Sequence, residues 1–71
     1  MSNIEKLRKE KKMPRRVLSD LSGVPQTTIY ALEKGVYDIQ YAKIDTLIDL
    51  AKGLDCKVKD LLPDYLQEYI A

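Results

Sequence analysis

Leu18-Ser19-Asp20-Leu21-Ser22-Gly23-Val24-Pro25-Gln26-Thr27-Thr28-Ile29-Tyr30-Ala31-Leu32-Glu33-Lys34-Gly35 is the stretch that decides the fold. Val17, Leu18 and Leu21 form an apolar stripe at helical spacing, and Gly23 stands where it runs out. Glycine takes the left-handed conformation that closes a helix without steric cost. Val24-Pro25 follows. Proline suits a first helical position, because its φ is preset and its missing N–H is not needed there. Ile29 and Leu32 are three apart and face inward, and Gly35 closes the second segment. The stretch predicts two short helices on either side of a turn at Ser22-Gly23-Val24.

Working outward, Ile4 and Leu7 open an amphipathic helix over roughly residues 3–12. Met13-Pro14 interrupts it, and the next helix starts near Pro14 or Arg15. Downstream, residues 36–40 read as a loop with Asp38 as its turn or capping residue. Ile44, Leu47, Ile48, Ala51 and Leu54 then recur at helical spacing over a fourth helix. Gly53 either weakens that helix, by about 1 kcal/mol relative to alanine, or marks an early end. Asp55 is the expected left-handed closing residue. Val58, Leu61 and Leu62 form a short fifth helix, and Pro63 stops it or starts another. Leu62, Tyr65, Leu66 and Tyr69 continue at helical spacing. The expectation is an all-α domain over residues 1–71 with five helices, six if the tail is counted. Its core spans residues 4–62, with a helical extension over 63–71. No repeat, low-complexity segment or linker interrupts it.

Composition excludes several classes. The single cysteine, Cys56, rules out an internal disulfide framework and a Cys-rich zinc site. Its expected role is that of a small buried hydrophobe. The absence of histidine removes His-based acid–base catalysis. No nucleophile–base pair, metal cluster or phosphate loop is visible, so neither enzyme activity nor a cofactor or metal is expected. The longest apolar runs, such as Leu61-Leu62-Pro63, are far too short for a membrane span or a signal-peptide core. A cytoplasmic protein is the simplest expectation.

The net charge of +1 hides an asymmetry. Residues 1–35 carry eight Lys and Arg against four Asp and Glu, and residues 36–71 carry four against seven. A basic half beside an acidic half points to a polyanion on one side of the domain.

The quoted stretch resembles the Cro/repressor-type (XRE-like) helix-turn-helix family, whose signature runs roughly L-A-x-x-x-G-V-S-x-x-x-I-x-x-x-E-x-G. Thr46-Leu47-Ile48-Asp49-Leu50-Ala51-Lys52-Gly53-Leu54 is similar to the family's later helix, and Val58-Lys59-Asp60-Leu61-Leu62 to its closing segment. The resemblance implies a lambda-repressor-like DNA-binding domain over most of the chain. Departures are visible. Pro14 and Pro25 stand where the family often has Ser or Thr caps. Ser19 stands where Ala is usual, and the loop from Gly35 to Thr46 looks longer than common.

What the resemblance implies for the site follows residue by residue. In this motif the third helix enters the major groove with its N-terminal residues at base edges. Ile29 and Leu32 point inward, so Gln26, Thr27, Tyr30 and Ala31 point out as base-contact candidates. Gln26 can pair bidentately with adenine, and Thr27 or Ala31 can meet a thymine methyl. Arg15 matches a phosphate-contacting position. Arg16, Thr28, Lys34, Tyr37 and Lys43 are further phosphate candidates, with Tyr41 weaker. Lys6, Lys9, Lys11 and Lys12 supply general field. Arg8 and Glu33 match a structural ion pair between the first and third helices. One domain offers few basic contacts, so a homodimer on a palindromic operator is expected. Leu50, Tyr65, Leu66, Tyr69 and Ile70 are the dimer candidates.

Two readings of function remain open on these residues. The first is a Cro-like transcriptional regulator, a repressor of double-stranded DNA sites. The second is an antitoxin or restriction-controller protein whose main partner is another protein, the apolar tail then serving as a partner site.

Overall fold

Proline and glycine punctuate the first half of the chain. In the computed structural model, which describes residues 2–69, α1 spans Asn3–Glu10, α2 Arg15–Ser22 and α3 Gln26–Lys34. A 3-10 turn at Ile39–Tyr41 leads to α4 (Ile44–Leu54), α5 (Val58–Leu61) and α6 (Asp64–Gln67). The described residues are helical with no strand. This is the all-α, lambda-repressor-like arrangement, with the tail supplying the sixth helix.

Each boundary has a local cause. Ser2 caps α1, its hydroxyl accepting from the Glu5 N–H at 3.1 Å. Pro14 and Pro25 lie at the N-caps of α2 and α3 rather than at their first helical residues. Their ψ values, 153° and 144°, are extended, so each sets the entry angle while its carbonyl starts the helix. The Pro14 carbonyl accepts from Val17 and Leu18, and that of Pro25 from Thr28 and Ile29. Gly23 (φ 77°) and Gly35 (φ 75°) close α2 and α3 in the left-handed region. Asp55 closes α4 in the same way. Lys12 also has a positive φ, 54°, in the turn after α1, with no glycine or asparagine to announce it.

The core joins Ile4, Leu18, Val24, Ile29, Leu32, Leu50, Ala51, Leu54 and Leu61. α2 packs mainly on α4 and α3, while α1 packs on α3 and α5. Gly53 explains how close α2 and α4 approach. A β-carbon there would lie 2.9 Å from Leu18 Cδ1 and 3.2 Å from Ser22 Cβ. Gly53 is therefore a contact residue inside α4, not its end.

The stripes on α2 and α4 are rotated from those the spacing predicts. Leu21 is 61% exposed, and Ile44 and Ile48 are exposed as well. Leu50 is fully buried. Leu50 is thus corrected from a dimer candidate to a core residue, because α4 turns its Leu47/Leu50/Ala51/Leu54 side onto the domain. Ile44 and Ile48 take the outward positions. Cys56 is half-buried against the core, and burial, aided by the Asp60 carboxylate, raises its thiol pKa.

The tail is anchored through one oxygen. The Leu62 carbonyl accepts from Asn3 Nδ2 at 2.6 Å and from Gln67 Nε2 at 2.7 Å. α6 is thereby held beside the start of α1.

Candidate nucleic-acid interface

α3 divides its nine residues between two environments. Ile29, Leu32 and Glu33 are buried, which fixes the rotation of the helix. Gln26, Thr27 and Tyr30 are exposed as a consequence, while Thr28 and Ala31 are half-buried at the margin. Arg15, the first residue of α2, joins them. Arg15, Gln26, Thr27 and Tyr30 line one open cleft of about 290 Å3. The Arg15 guanidinium carbon lies 5.0 Å from the centre of the Tyr30 ring, within the range of a cation–π contact.

Behind this cleft sits a charged cluster. Arg8 grips Glu33 with two bonds, Nε to Oε2 at 2.7 Å and Nη2 to Oε1 at 3.1 Å. A forked guanidinium matched to a carboxylate sets orientation as well as charge. Arg8 Nη1 also donates to the Met13 carbonyl at 2.8 Å, tying down the turn before α2. Arg15 Nε donates to Glu33 Oε1 at 2.7 Å. Glu33, whose side chain is wholly inaccessible, therefore binds two arginines.

Glu5 is the second buried carboxylate. It accepts from Lys34 Nζ at 3.0 Å and pairs with Lys9 at 3.3 Å and Arg15 at 3.8 Å. The Lys34 ammonium, helped by Lys9 and opposed by burial, holds the Glu5 carboxyl below its ordinary pKa. The Glu33 carboxylate raises the pKa of Arg8, against the effect of burial. Every fully buried side-chain nitrogen and oxygen among the described residues has a hydrogen-bond partner. Four cations, Arg8, Lys9, Arg15 and Lys34, surround two carboxylates, which leaves this side of the domain positive.

The other sequence candidates fall into separate places. Lys34 lies at the far end of α3, about 12 Å along the helix from Gln26 at 1.5 Å per residue, and is held by Glu5. Arg16 is exposed and pairs with Asp20 at 3.7 Å. The Tyr37 hydroxyl donates to the Tyr41 carbonyl at 3.0 Å, and Lys43 stands exposed at the N-cap position of α4 with no side-chain capping bond. None of these four lines the Arg15–Tyr30 cleft. Leu66 and Tyr69 line a different, apolar groove of about 340 Å3 with Ile44, Leu47, Val58 and Leu62. Tyr65 is exposed outside that groove, and Ile70 lies outside the described residues.

Sequence reading missed Glu5 and the second arginine on Glu33. A signal for Glu5 was present: Ile4, Glu5 and Arg8 share the buried side of α1. Among the described residues no group of three or more His, Cys, Asp or Glu side chains could hold a metal ion. Nor is any helix there long and apolar enough to cross a membrane.

Two short helices joined by a left-handed glycine, the second with an exposed polar N-terminal face beside an arginine, define a DNA-binding helix-turn-helix. A family model described as helix-turn-helix matches residues 4–61. The chain belongs to that family, the Cro/XRE-like DNA-binding proteins, and is in general terms a regulator that binds double-stranded DNA. The family's fold is non-enzymatic. Comparison with curated proteins finds no match, and comparison with solved structures finds none.

Proposed function

We propose that the chain is a sequence-specific transcriptional repressor that inserts α3 into the major groove of a palindromic operator. The carrying observation is the grouping of exposed Gln26, Thr27 and Tyr30 with Arg15 on one cleft, on a helix whose inner side is fixed by Ile29, Leu32 and Glu33. A rigidly seated helix presents its readers in one geometry, which base recognition requires. Gln26 and Thr27 read base edges, with Tyr30 and Ala31 further along the groove. Arg15 takes a phosphate at the rim, where the field of the four cations is already positive. Arg16, Thr28, Lys34, Tyr37 and Lys43 flank this path as secondary phosphate contacts.

Homodimerisation belongs to the same reading. The groove formed by Ile44, Leu47, Val58, Leu62, Leu66 and Tyr69, with Gln40 at its edge, is mostly apolar and open, and Tyr69 is 80% exposed. A second copy seated there would pair two recognition helices across a two-fold axis.

The test is selection of bound duplexes from a random pool at physiological salt, followed by Gln26→Ala. A palindromic consensus that relaxes at one base pair, losing about 1–3 kcal/mol of discrimination, supports the reading. A half-site consensus bound by a monomer retains the reader and removes the dimer. The absence of any consensus overturns the reading. It turns attention to the antitoxin-type alternative, in which the Ile44–Tyr69 groove holds another protein.

A further inference from the structure

One carboxylate oxygen on α1 meets cations from α1, α2 and α3. Glu5 Oε2 accepts from Lys34 Nζ at 3.0 Å, and it lies 3.3 Å from Lys9 Nζ and 3.8 Å from Arg15 Nη2. Glu5 is buried, whereas Lys9 and Lys34 are exposed and Arg15 is half-buried. Each cation is therefore anchored on a buried oxygen while part of it stays in water. The carboxyl is held below its ordinary pKa, chiefly by the Lys34 ammonium, so the anchor is ionised at neutral pH. Glu33 also holds Arg15. Lys34 pairs with no carboxylate but Glu5 among the described residues.

Two effects of such an anchor on a polyanion oppose each other. Its negative charge repels phosphate, so by charge alone its loss tightens DNA binding. Its grip acts the other way. Without it, three like charges repel one another and their long side chains disperse. A lysine or arginine ordered before DNA arrives has less rotamer freedom to lose on binding. The grip prevails here. The buried charge is offset at contact distance by its own cations, whereas a phosphate acts on it from outside them, through solvent that screens. We propose that Glu5 is a positioning residue for DNA phosphate binding, gathering Arg15 from the start of α2 and Lys34 from the end of α3 toward one stretch of backbone. The inference rests on the proposed reading of Arg15 and Lys34 as phosphate contacts.

The experiment uses the full chain and a duplex recovered by selection, with Kd measured by fluorescence anisotropy at several salt concentrations. Glu5→Gln is expected to weaken binding about five-fold at physiological salt, the worth of one phosphate contact there. The slope of log affinity against log salt should become shallower by about 1. Glu10→Gln removes the same charge from an exposed position on the same helix, and it is expected to bind no more weakly than the parent. Glu5→Asp keeps the charge and withdraws the oxygen by one carbon, so it carries the test if circular dichroism shows Glu5→Gln unfolded. It too should bind more weakly with a shallower slope, where charge alone predicts no change. Binding by the Glu5 variants as tight as the parent's, or tighter, overturns the proposal. So does a loss of affinity with an unchanged slope, which marks a disturbed fold rather than a lost phosphate contact. Lys34→Met and Arg15→Ala separate this failure from that of the underlying reading. If these two lose slope while the Glu5 variants do not, the positioning role alone falls. If both keep the parent's affinity and slope, or no duplex is recovered, the reading and the proposal fall together.

Discussion

Arg15 donates from Nε to Glu33 Oε1 at 2.7 Å, and so the first residue of α2 is fastened to the penultimate residue of α3. The two arginines on Glu33 are unequal. The Arg15 side chain is 30% accessible, whereas that of Arg8 is 8% accessible. A solvated partner contributes little, because water already screens and solvates it.

Arg15→Ala is therefore expected to lower unfolding free energy by no more than about 1 kcal/mol. On the proposed reading of α3, its larger effect falls on DNA binding. The slope of log affinity against log salt should become shallower by about 1, the loss of one phosphate contact. Urea unfolding and anisotropy titrations at several salt concentrations check the two halves.

Arg8→Met behaves differently. It leaves the Glu33 carboxylate buried with only its half-buried partner Arg15, and a loss of about 3–5 kcal/mol is expected. Replacing both groups, in Arg8→Met/Glu33→Leu, removes the stranded charge and should recover much of that loss. Denaturant midpoints of the two single variants and the double variant provide the comparison.

Glu5 sets a pH dependence. Its folded pKa is depressed, chiefly by the Lys34 ammonium, so the unfolded state takes up its proton first as pH falls. Its stabilising contribution is fully present above the ordinary carboxylate pKa, and it is lost as pH drops through the lower folded value. Glu5→Gln should be less stable than the parent at neutral pH, with the gap closing in acid below the usual carboxylate range. Thermal unfolding of both proteins between neutral and strongly acidic pH measures this.

Gly53→Ala tests the α2–α4 approach. Helix propensity alone favours alanine by about 1 kcal/mol. The added carbon, however, meets the buried Leu18 at 2.9 Å and Ser22 at 3.2 Å. Overpacking of this kind costs about 1–3 kcal/mol, so a net loss of stability is expected. A rise in thermal midpoint would show that the two helices can separate freely.

Much of this fold is legible because its boundaries use residues with distinctive backbone preferences. Gly23, Gly35, Pro14 and Pro25 mark their turns by chemistry that any neighbour would respect. Lys12 is different. A lysine carries no preference for positive φ, and the bonds that hold this turn, from the Met13 N–H to the Arg8 carbonyl and from Arg8 Nη1 to the Met13 carbonyl, leave no mark at position 12 in the sequence. The rotation of α4 was also hidden. Apolar residues at 44, 47, 48, 50, 51 and 54 cover much of its circumference, so spacing alone does not choose the buried side. The contact at Gly53 does, by bringing Leu50 and Leu54 under α2 and leaving Ile44 outside. At the site, Gln26, Thr27 and Tyr30 follow from the inward turn of Ile29 and Leu32. Glu5 looked like one more charge in a Lys- and Glu-rich helix, because its partners Arg15 and Lys34 are distant in sequence.

The shared oxygen of Leu62 has a consequence beyond the tail. Asn3 reaches it from the first turn of α1, and Gln67 from α6. α1 also carries Glu5 and Arg8, the residues that grip Lys34 and Glu33 on α3. Two elements far apart in sequence, α1 and α6, are thus latched by a single acceptor, and the latch stands only one helix away from the Arg15–Tyr30 cleft. Amide exchange along α1 would report on both ends at once: release of α6 should loosen Asn3 and, through it, the scaffold on which Glu33 is held.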